Sequence, residues 1–327
     1  MTIKKIAKLA NVSSATVSKV INGKDKYISE ATRKRVLEIV EREGYVPNAV
    51  AKSLKVKRTK TLGIVIPDVM NLFFSELARG VEDAAEKMGY SIILCNSDNK
   101  VSKEEKYIQI LQEKMVDGII LAASESSVSK YFNKRGTPMV LLDRDLSVDD
   151  QVGKITVDNE SGIYEATCFL INKGCRDIGY ISSEISSKIS FQRLSGYKKA
   201  LLDRGFQVSE SMIYLNNYTI ETGYYGMLEL LKNNIRVDGV CCGNDMIAIG
   251  AIKALNEKGI NIPTDVKIIG FDDIYITQYT EPPITTMAQP IYKMGEEAVK
   301  MILSIIEGKE TELAKVFDTK LIERGTT

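Results

Sequence analysis

The chain has 327 residues, 44% hydrophobic and 27% charged, which suits two or three ordinary globular domains with a substantial core. Its net charge of +1 hides an asymmetry: residues 1–60 hold 15 Lys and Arg against 5 Asp and Glu, leaving 29 against 38 for the rest. A basic end on an acidic body points to two different partners, one of them a polyanion, and the absence of histidine excludes Ser-His-Asp triads, HExxH zinc sites and His-based proton transfer.

The five cysteines are Cys95, Cys168, Cys175, Cys241 and Cys242. Their odd number, their scatter and the lack of any CxxC argue against a disulfide framework. The opening MTIKKIAKLA is too charged for a signal peptide, and no apolar run has the length to span a bilayer. A cytoplasmic location without a membrane partner is expected.

Ile3, Ile6, Ala7 and Ala10 fall at helical spacing after Thr2, a possible cap. Asn11-Val12-Ser13 interrupts them. Ser13 or Ser14 can cap a second helix, with Val17, Val20 and Ile21 inward, ending at Asn22-Gly23. Ser29 caps a third helix from Glu30 to Glu43, with Val36, Leu37 and Val40 inward and Gly44 at its end. Two short helices joined by a three-residue turn and braced by a third make a helix-turn-helix unit. In such a unit the second helix enters the major groove of duplex DNA. Ser14, Ala15 and, one turn on, Lys19 reach base edges, while Thr16, Ser18 and Asn22 are better placed for phosphates.

The stretch Tyr45–Leu62 is too basic for a buried element and too apolar at Val50, Ala51 and Leu54 for a plain linker. Pro47 stops the third helix. Asn48 can cap a short one from Ala49 to about Val56, too short to be stable alone.

TIKKIAKLANVSSATVSKVING followed by YVPNAVAKSLK resembles the N-terminus of the LacI family of bacterial transcriptional regulators. The resemblance implies that two hinge helices of a homodimer pack in the DNA minor groove. Leu54 then matches the wedge that kinks the duplex and Ala51 the close-packed groove position. Lys52 and Lys55 flank them for phosphates. Expected boundaries are 1–46 for the DNA-binding domain, 47–60 for the hinge and linker, and 61–327 for a ligand-binding and dimerisation domain.

From Thr61 the pattern alternates strand and helix. LGIVIP (62–67), SIILC (91–95), GIILAA (118–123) and MVLLD (139–143) form one series, with helices such as Phe74–Met88 and Lys103–Lys114 between. KITV (154–157), DIGYIS (177–182), MIYL (212–215), GVCC (239–242) and VKIIGF (266–271) form a second. Two parallel-sheet α/β subdomains with a cleft are expected. TTMAQP (285–290) and KVFDTKLIER (315–324) would cross between them. The expected division is about 61–157 with 289–316, and 158–288 with 317–327. This α/β core resembles the periplasmic-binding-protein fold that forms the regulatory core of the LacI family.

Ligands favour the C-terminal ends of parallel strands and domain interfaces. There lie Asn71, Phe73, Phe74, Asp143, Arg144, Arg193, Tyr218, Asn244, Asp272 and Gln289. Each has a plain structural reading: Phe73 as core, Arg193 as an ion-pair partner, the adjacent Asp245 as a helix cap. Together they combine aromatic faces for a sugar ring with Asp, Asn and Arg for its hydroxyls. The set, Tyr218 aside, is similar to the pocket pattern of ribose-binding proteins and ribose-type repressors. A pentose is therefore expected. A purine-type pocket would favour a second basic residue in the 184–190 loop, which here has Ser186, Ser187 and Lys188.

No phosphate loop and no GxGxxG fingerprint is present, so no cofactor and no enzymatic activity are expected. A sugar enzyme using Asp143 or Asp272 as base, a solute-binding protein and a corepressed regulator sensing a non-sugar metabolite are the alternatives. The chain ends without an apolar heptad tail, so a dimer on a near-palindromic operator is expected.

Overall fold

A computed structural model describes residues 1–45, 58–122, 136–143, 152–185, 187–232 and 236–327. The hinge positions Asn48, Ala51, Lys52, Leu54 and Lys55 lie outside the described residues, as does Arg144. The chain divides into two compact units, Met1–Thr59 and Lys60–Thr327.

The first unit holds α1 (Ile3–Leu9), α2 (Ser14–Ile21) and α3 (Glu30–Arg42). Each begins where a hydroxyl satisfies an amide that the helix leaves free. Thr2 accepts from the Lys5 N–H, Ser13 from Thr16 and Ser29 from Thr32. Of the two candidate caps for α2, Ser13 takes the role. Ile6, Ala7, Ala10, Val17, Val20, Val36 and Ile39 make a small core. Each fully buried Ile or Val in it contributes about 1.5–3 kcal/mol. Leu37, expected inward, is 42% exposed, and Ile39 fills the core instead. The apolar residues of α3 run too closely for periodicity alone to pick the face, and Ile39 is the position three residues on from Val36.

The second unit is built on two six-stranded sheets. The first has the order β11-β5-β4-β3-β1-β2, with β1 (Thr61–Ile66), β2 (Ser91–Asn96), β3 (Gly118–Leu121), β4 (Met139–Leu142), β5 (Gly153–Val157) and β11 (Ala314–Phe317). The second has the order β12-β10-β9-β8-β6-β7. Its strands are β6 (Ile178–Ser183), β7 (Ile213–Asn216), β8 (Gly239–Cys242), β9 (Lys267–Asp272), β10 (Thr285–Ala288) and β12 (Lys320–Ile322). Every pairing is parallel except β10 with β12. The central strands β3, β4 and β8 are buried throughout, which is why they read as unbroken apolar runs. KITV, grouped by sequence with the second series, forms β5 and pairs with β4 in the first sheet. A lone strand pattern does not show which sheet receives it.

The helices α4 (Leu72–Lys87), α5 (Val101–Glu113), α6 (Asn159–Asn172), α7 (Lys188–Asp203), α8 (Ile220–Leu230), α9 (Asp245–Glu257) and α10 (Ile291–Glu307) cover these sheets. Although α6 follows β5, it packs on β8, β9 and β10; although α10 follows β10, it packs on β3, β4 and β5. The chain thus passes between the sheets after Val157, after Ala288 and after Phe317. Close helix contact fixes the second layer. A Cβ at Gly250 would stand 1.9 Å from the Ile220 carbonyl oxygen, and one at Gly223 1.9 Å from that of Ile247. Only glycine lets α8 and α9 meet backbone to backbone.

Candidate functional site

Two regions collect the residues singled out by sequence. In the first unit, Ala15 and Lys19 are exposed on α2, Ser14, Thr16 and Ser18 are half-buried, and Asn22 is exposed just past its end. Thr16 is partly committed to structure, because its N–H and hydroxyl both meet Ser13 Oγ, at 3.1 and 2.9 Å. Asn22 Nδ2 donates to the Ser18 carbonyl at 2.7 Å, closing the end of α2. Lys19 is therefore the long cationic side chain of this face, with the small Ala15 one turn before it.

The second region lies where β9 and β10 end, beside the passages between sheets. Arg193, projecting from α7, is 4% exposed. Its Nε donates to Asn159 Oδ1 at 2.8 Å and its Nη1 to the Gly243 carbonyl at 2.7 Å. Its Nη2 lies 3.9 Å from Asp272 Oδ1. The guanidinium carbon stands 4.2 Å from the Phe271 ring centroid and 5.5 Å from that of Tyr218. A planar, delocalised cation is suited to this combination of in-plane acceptors and ring faces. Burial opposes its charge, but Tyr218, Asp272, Asp143 and Tyr180 outweigh that and raise its pKa.

Asp272, 3% exposed, has φ +118° at the end of β9. Gln289 Nε2 donates to its Oδ1 at 2.7 Å, and the Gln289 N–H to its carbonyl at 3.0 Å. Gln289 Oε1 is buried with no hydrogen-bond partner among the described residues. Burial pushes the Asp272 carboxyl well above the usual carboxylate range, and the Arg193 charge pulls it back only in part. The upward direction follows from the long 3.9 Å approach, which leaves desolvation dominant. Asp143, 5% exposed with φ +54°, ends β4 in the other sheet. It is close enough to act electrostatically on both Arg193 and Asp272.

Arg193, Asp272, Gln289, Asp143 and Tyr218 are thus brought together. Asn244 adjoins them through Gly243, but its Oδ1 caps α9 by accepting from the Ile247 N–H at 2.9 Å. Asp245, read from sequence as that cap, does a different job: its carboxylate accepts from Thr286 Oγ1 at 2.7 Å and from the Ile274 N–H at 3.0 Å. The cap falls to Asn244 because its backbone is still extended there. Asn71 likewise caps α4 through the Phe73 N–H. Phe73 and Phe74, 3% and 8% exposed, meet edge to face at 5.0 Å in the core cluster that also holds Phe271 and Ile274.

Asn159 and Phe271 were missed by sequence reasoning. Asn159 had a usable signal, since it stands two residues past a strand end as Asn244 does. Phe271 had none, because a Phe closing an apolar strand looks like any core residue. The arrangement offers donors and acceptors for a polar ligand, without a nucleophile–base pair. Among the described residues no group of Cys, Asp and Glu has the makings of a metal site, and no helix is long and apolar enough to cross a membrane.

Comparison with known proteins matches residues 2–48 to the lacI family of bacterial regulatory proteins, and residues 167–327 to a periplasmic binding protein-like domain. The HTH-type transcriptional regulator RegA of Clostridium saccharobutylicum is 39% identical over 330 residues, covering 99% of this chain and 98% of RegA. A transcriptional regulator CelR–cellobiose complex superposes with a TM-score of 0.77 at 30% identity over 100% of both chains. A ribose-bound LacI family regulator from Enterococcus faecium gives 0.74 at 31% identity, covering 82% of this chain and 98% of the other. The helix-turn-helix unit, the two-sheet core and this similarity over nearly the full length agree: the chain belongs to the LacI family of bacterial transcriptional regulators.

Proposed function

We propose that the chain is a repressor of sugar-utilisation genes whose operator affinity is set by a small sugar, best a pentose such as ribose, in the cleft between the two sheets. The observation that carries this reading is the buried set Arg193, Asp272, Gln289 and Asn159 at the junction of the sheets. It presents one cation and two carboxylates, counting Asp143, which disfavours an anionic ligand and suits vicinal hydroxyls. The ribose held by the Enterococcus faecium relative supports a pentose; the cellobiose held by CelR shows that relatives also accept a disaccharide.

On the DNA side, Ser14, Ala15 and Lys19 read bases while Thr16, Ser18 and Asn22 hold phosphates. Asn48, Ala51, Lys52, Leu54 and Lys55 supply the hinge, on the sequence alone. The proposed boundaries remain 1–46, 47–60 and 61–327, the last divided at the three passages between sheets. A homodimer on a near-palindromic operator follows from the family pattern. It is supported by a surface groove in which the half-buried Ile249 and the buried Ile252 of α9 adjoin Thr280 and Glu281, with Tyr275, Ile276 and Tyr279 exposed close by in sequence.

The test is a thermal-shift panel of pentoses, hexoses, cellobiose and purines, followed by operator titration with and without each hit. At a hundredfold excess over its dissociation constant a true ligand adds about 2.7 kcal/mol of stability. The repressor reading requires a stabilising sugar that weakens operator binding. A sugar that strengthens it makes the protein corepressed, and a purine hit overturns the sugar assignment.

A further inference from the structure

Asp245 is fully buried, and among the described residues its oxygens meet Thr286 Oγ1 and the Ile274 N–H rather than a cation. Its position explains what those bonds do. Thr286 lies on β10 three residues before Gln289, and Ile274 follows Asp272 by two. Asn244, the neighbouring residue on the chain, caps α9 beside the cleft. One carboxylate therefore ties together the three segments that carry Asn244, Asp272 and Gln289.

The link also runs outward. After the positive-φ pair Asp272 and Asp273, the chain enters a 3-10 turn, Tyr275–Tyr279, whose Tyr275 and Tyr279 are 66% and 61% exposed. Asp273 Oδ1 accepts from Thr277 Oγ1 at 3.2 Å and pairs with Arg324 Nη2 at 2.7 Å. Arg324 Nη1 in turn donates to the Ile284 carbonyl at 2.9 Å. The turn is thus braced on its own side, and the Ile274 N–H to Asp245 bond joins that braced piece to α9. The fit is tight, since a Cβ at Gly270 would stand 2.1 Å from Asp245 Oδ1. Burial pushes the Asp245 carboxyl up to about 7, with the Thr286 and Ile274 bonds holding it lower and the Asp273 charge adding to the rise. Replacing it by an apolar residue would remove that cost, so the link serves position rather than bulk stability.

We propose that Asp245 is a positioning residue that holds Asn244, Asp272 and Gln289 in register and joins the cleft to the Tyr275–Tyr279 face as one rigid piece. This rests on the cleft being the effector site, yet the mechanical part is testable without any ligand. Hydrogen exchange of the full chain is followed by mass spectrometry in the wild type, Asp245→Asn, Asp245→Ala and Thr286→Val. Asparagine keeps both contacts, its oxygen accepting from Ile274 and its amide donating to Thr286. Exchange across residues 272–280 should rise on the order of tenfold in Asp245→Ala, the effect of losing one such bond. It should rise less in Thr286→Val and stay near the wild-type rate in Asp245→Asn, while β1 and α10 are unchanged in all.

Unchanged exchange in Asp245→Ala, or in Thr286→Val if the alanine protein does not fold, overturns the proposal. So does an asparagine protein that exchanges as fast as the alanine one. Sugars from the thermal-shift panel, D-ribose first, are then added. With any sugar that binds the wild type, Asp245→Ala should lose on the order of tenfold in affinity and Asp245→Asn should retain it. If no sugar binds the wild type, the effector reading fails while the exchange data still decide the role of Asp245.

Discussion

Replacing Arg193 by lysine keeps the charge and removes the geometry. The guanidinium donates to Asn159 Oδ1 and the Gly243 carbonyl while its plane rests 4.2 Å from the Phe271 ring centroid. A lysine ammonium is a compact point charge and cannot serve both acceptors and the ring. One or both acceptors are then left buried without a donor, at about 1–3 kcal/mol each. Because the cation also leaves the Phe271 face, Arg193→Lys should cost roughly 2–5 kcal/mol of stability in urea melts, short of unfolding a domain of this size. The same change removes the donor set from the cleft. The sugar concentration that half-releases operator should therefore rise at least about tenfold, while operator affinity without sugar stays at the wild-type value. The assay is operator titration across a sugar series, with the melts as the control for folding. An Arg193→Lys protein that responds at the wild-type sugar concentration would refute Arg193 as a ligand contact and leave it as a core ion-pair partner.

Leu54→Ala should weaken operator binding on the order of tenfold or more and leave sugar affinity intact, because it removes an apolar wedge; unchanged operator affinity removes the wedge assignment. Lys19→Ala should lower discrimination between operator and mutated sites by about 1–3 kcal/mol, whereas Lys55→Ala should chiefly reduce the salt slope by about 1. Identical behaviour in the two would show that α2 is not the reading helix. Gly250→Ala places a Cβ 1.9 Å from the Ile220 carbonyl, a backbone clash that no rotamer relieves, and should cost about 3 kcal/mol in a urea melt. The Asp245 carboxyl, raised from 3.8 to about 7 in the folded chain, contributes stability that is fully present below about pH 4 and lost as pH rises through 7. The wild type should thus lose ground to Asp245→Asn across that window by at most about 1.4 kcal/mol per pH unit, and parallel melting curves from pH 5 to 8 would contradict the raised pKa.

The fold was legible because its signals are local. Capping hydroxyls at Thr2, Ser13 and Ser29 start helices by satisfying amides within three residues, and buried parallel strands announce themselves as apolar runs. Sheet membership was less legible. β5 sits between the two series in sequence, and only its pairing with β4 places it. At the site, Asp272 and Gln289 were legible because polar residues at strand ends have few structural reasons to be there, and Arg193 because it lies on the helix that follows a strand of the second series. Asn244 and Asp245 show the limit. Both stand at one helix start, either could cap it, and backbone torsion at Asn244 decides between them. Phe271 became part of the site only through the arginine laid over its face.

The placement of these groups bears on how a ligand could change the protein's state. Gln289 lies in the passage after Ala288, and Asn159 begins α6 just after Val157; each is in a segment that leads from one sheet to the other. Both are hydrogen-bonded to charged groups of the cleft, Gln289 to Asp272 and Asn159 to Arg193. A ligand that draws on Arg193 or Asp272 thus pulls directly on two of the three segments about which the sheets would turn. No relay through the core is needed. For such a turn to weaken operator binding, the ligand must bind the DNA-free state more tightly by the same factor. The hinge helix proposed from sequence, Ala49 to about Val56, would be marginal on its own at that length, so a shift of a few kcal/mol would be enough to decide whether it forms. Measuring sugar affinity with and without operator tests this directly: equal affinities would separate the cleft from the DNA, however tightly the sugar binds.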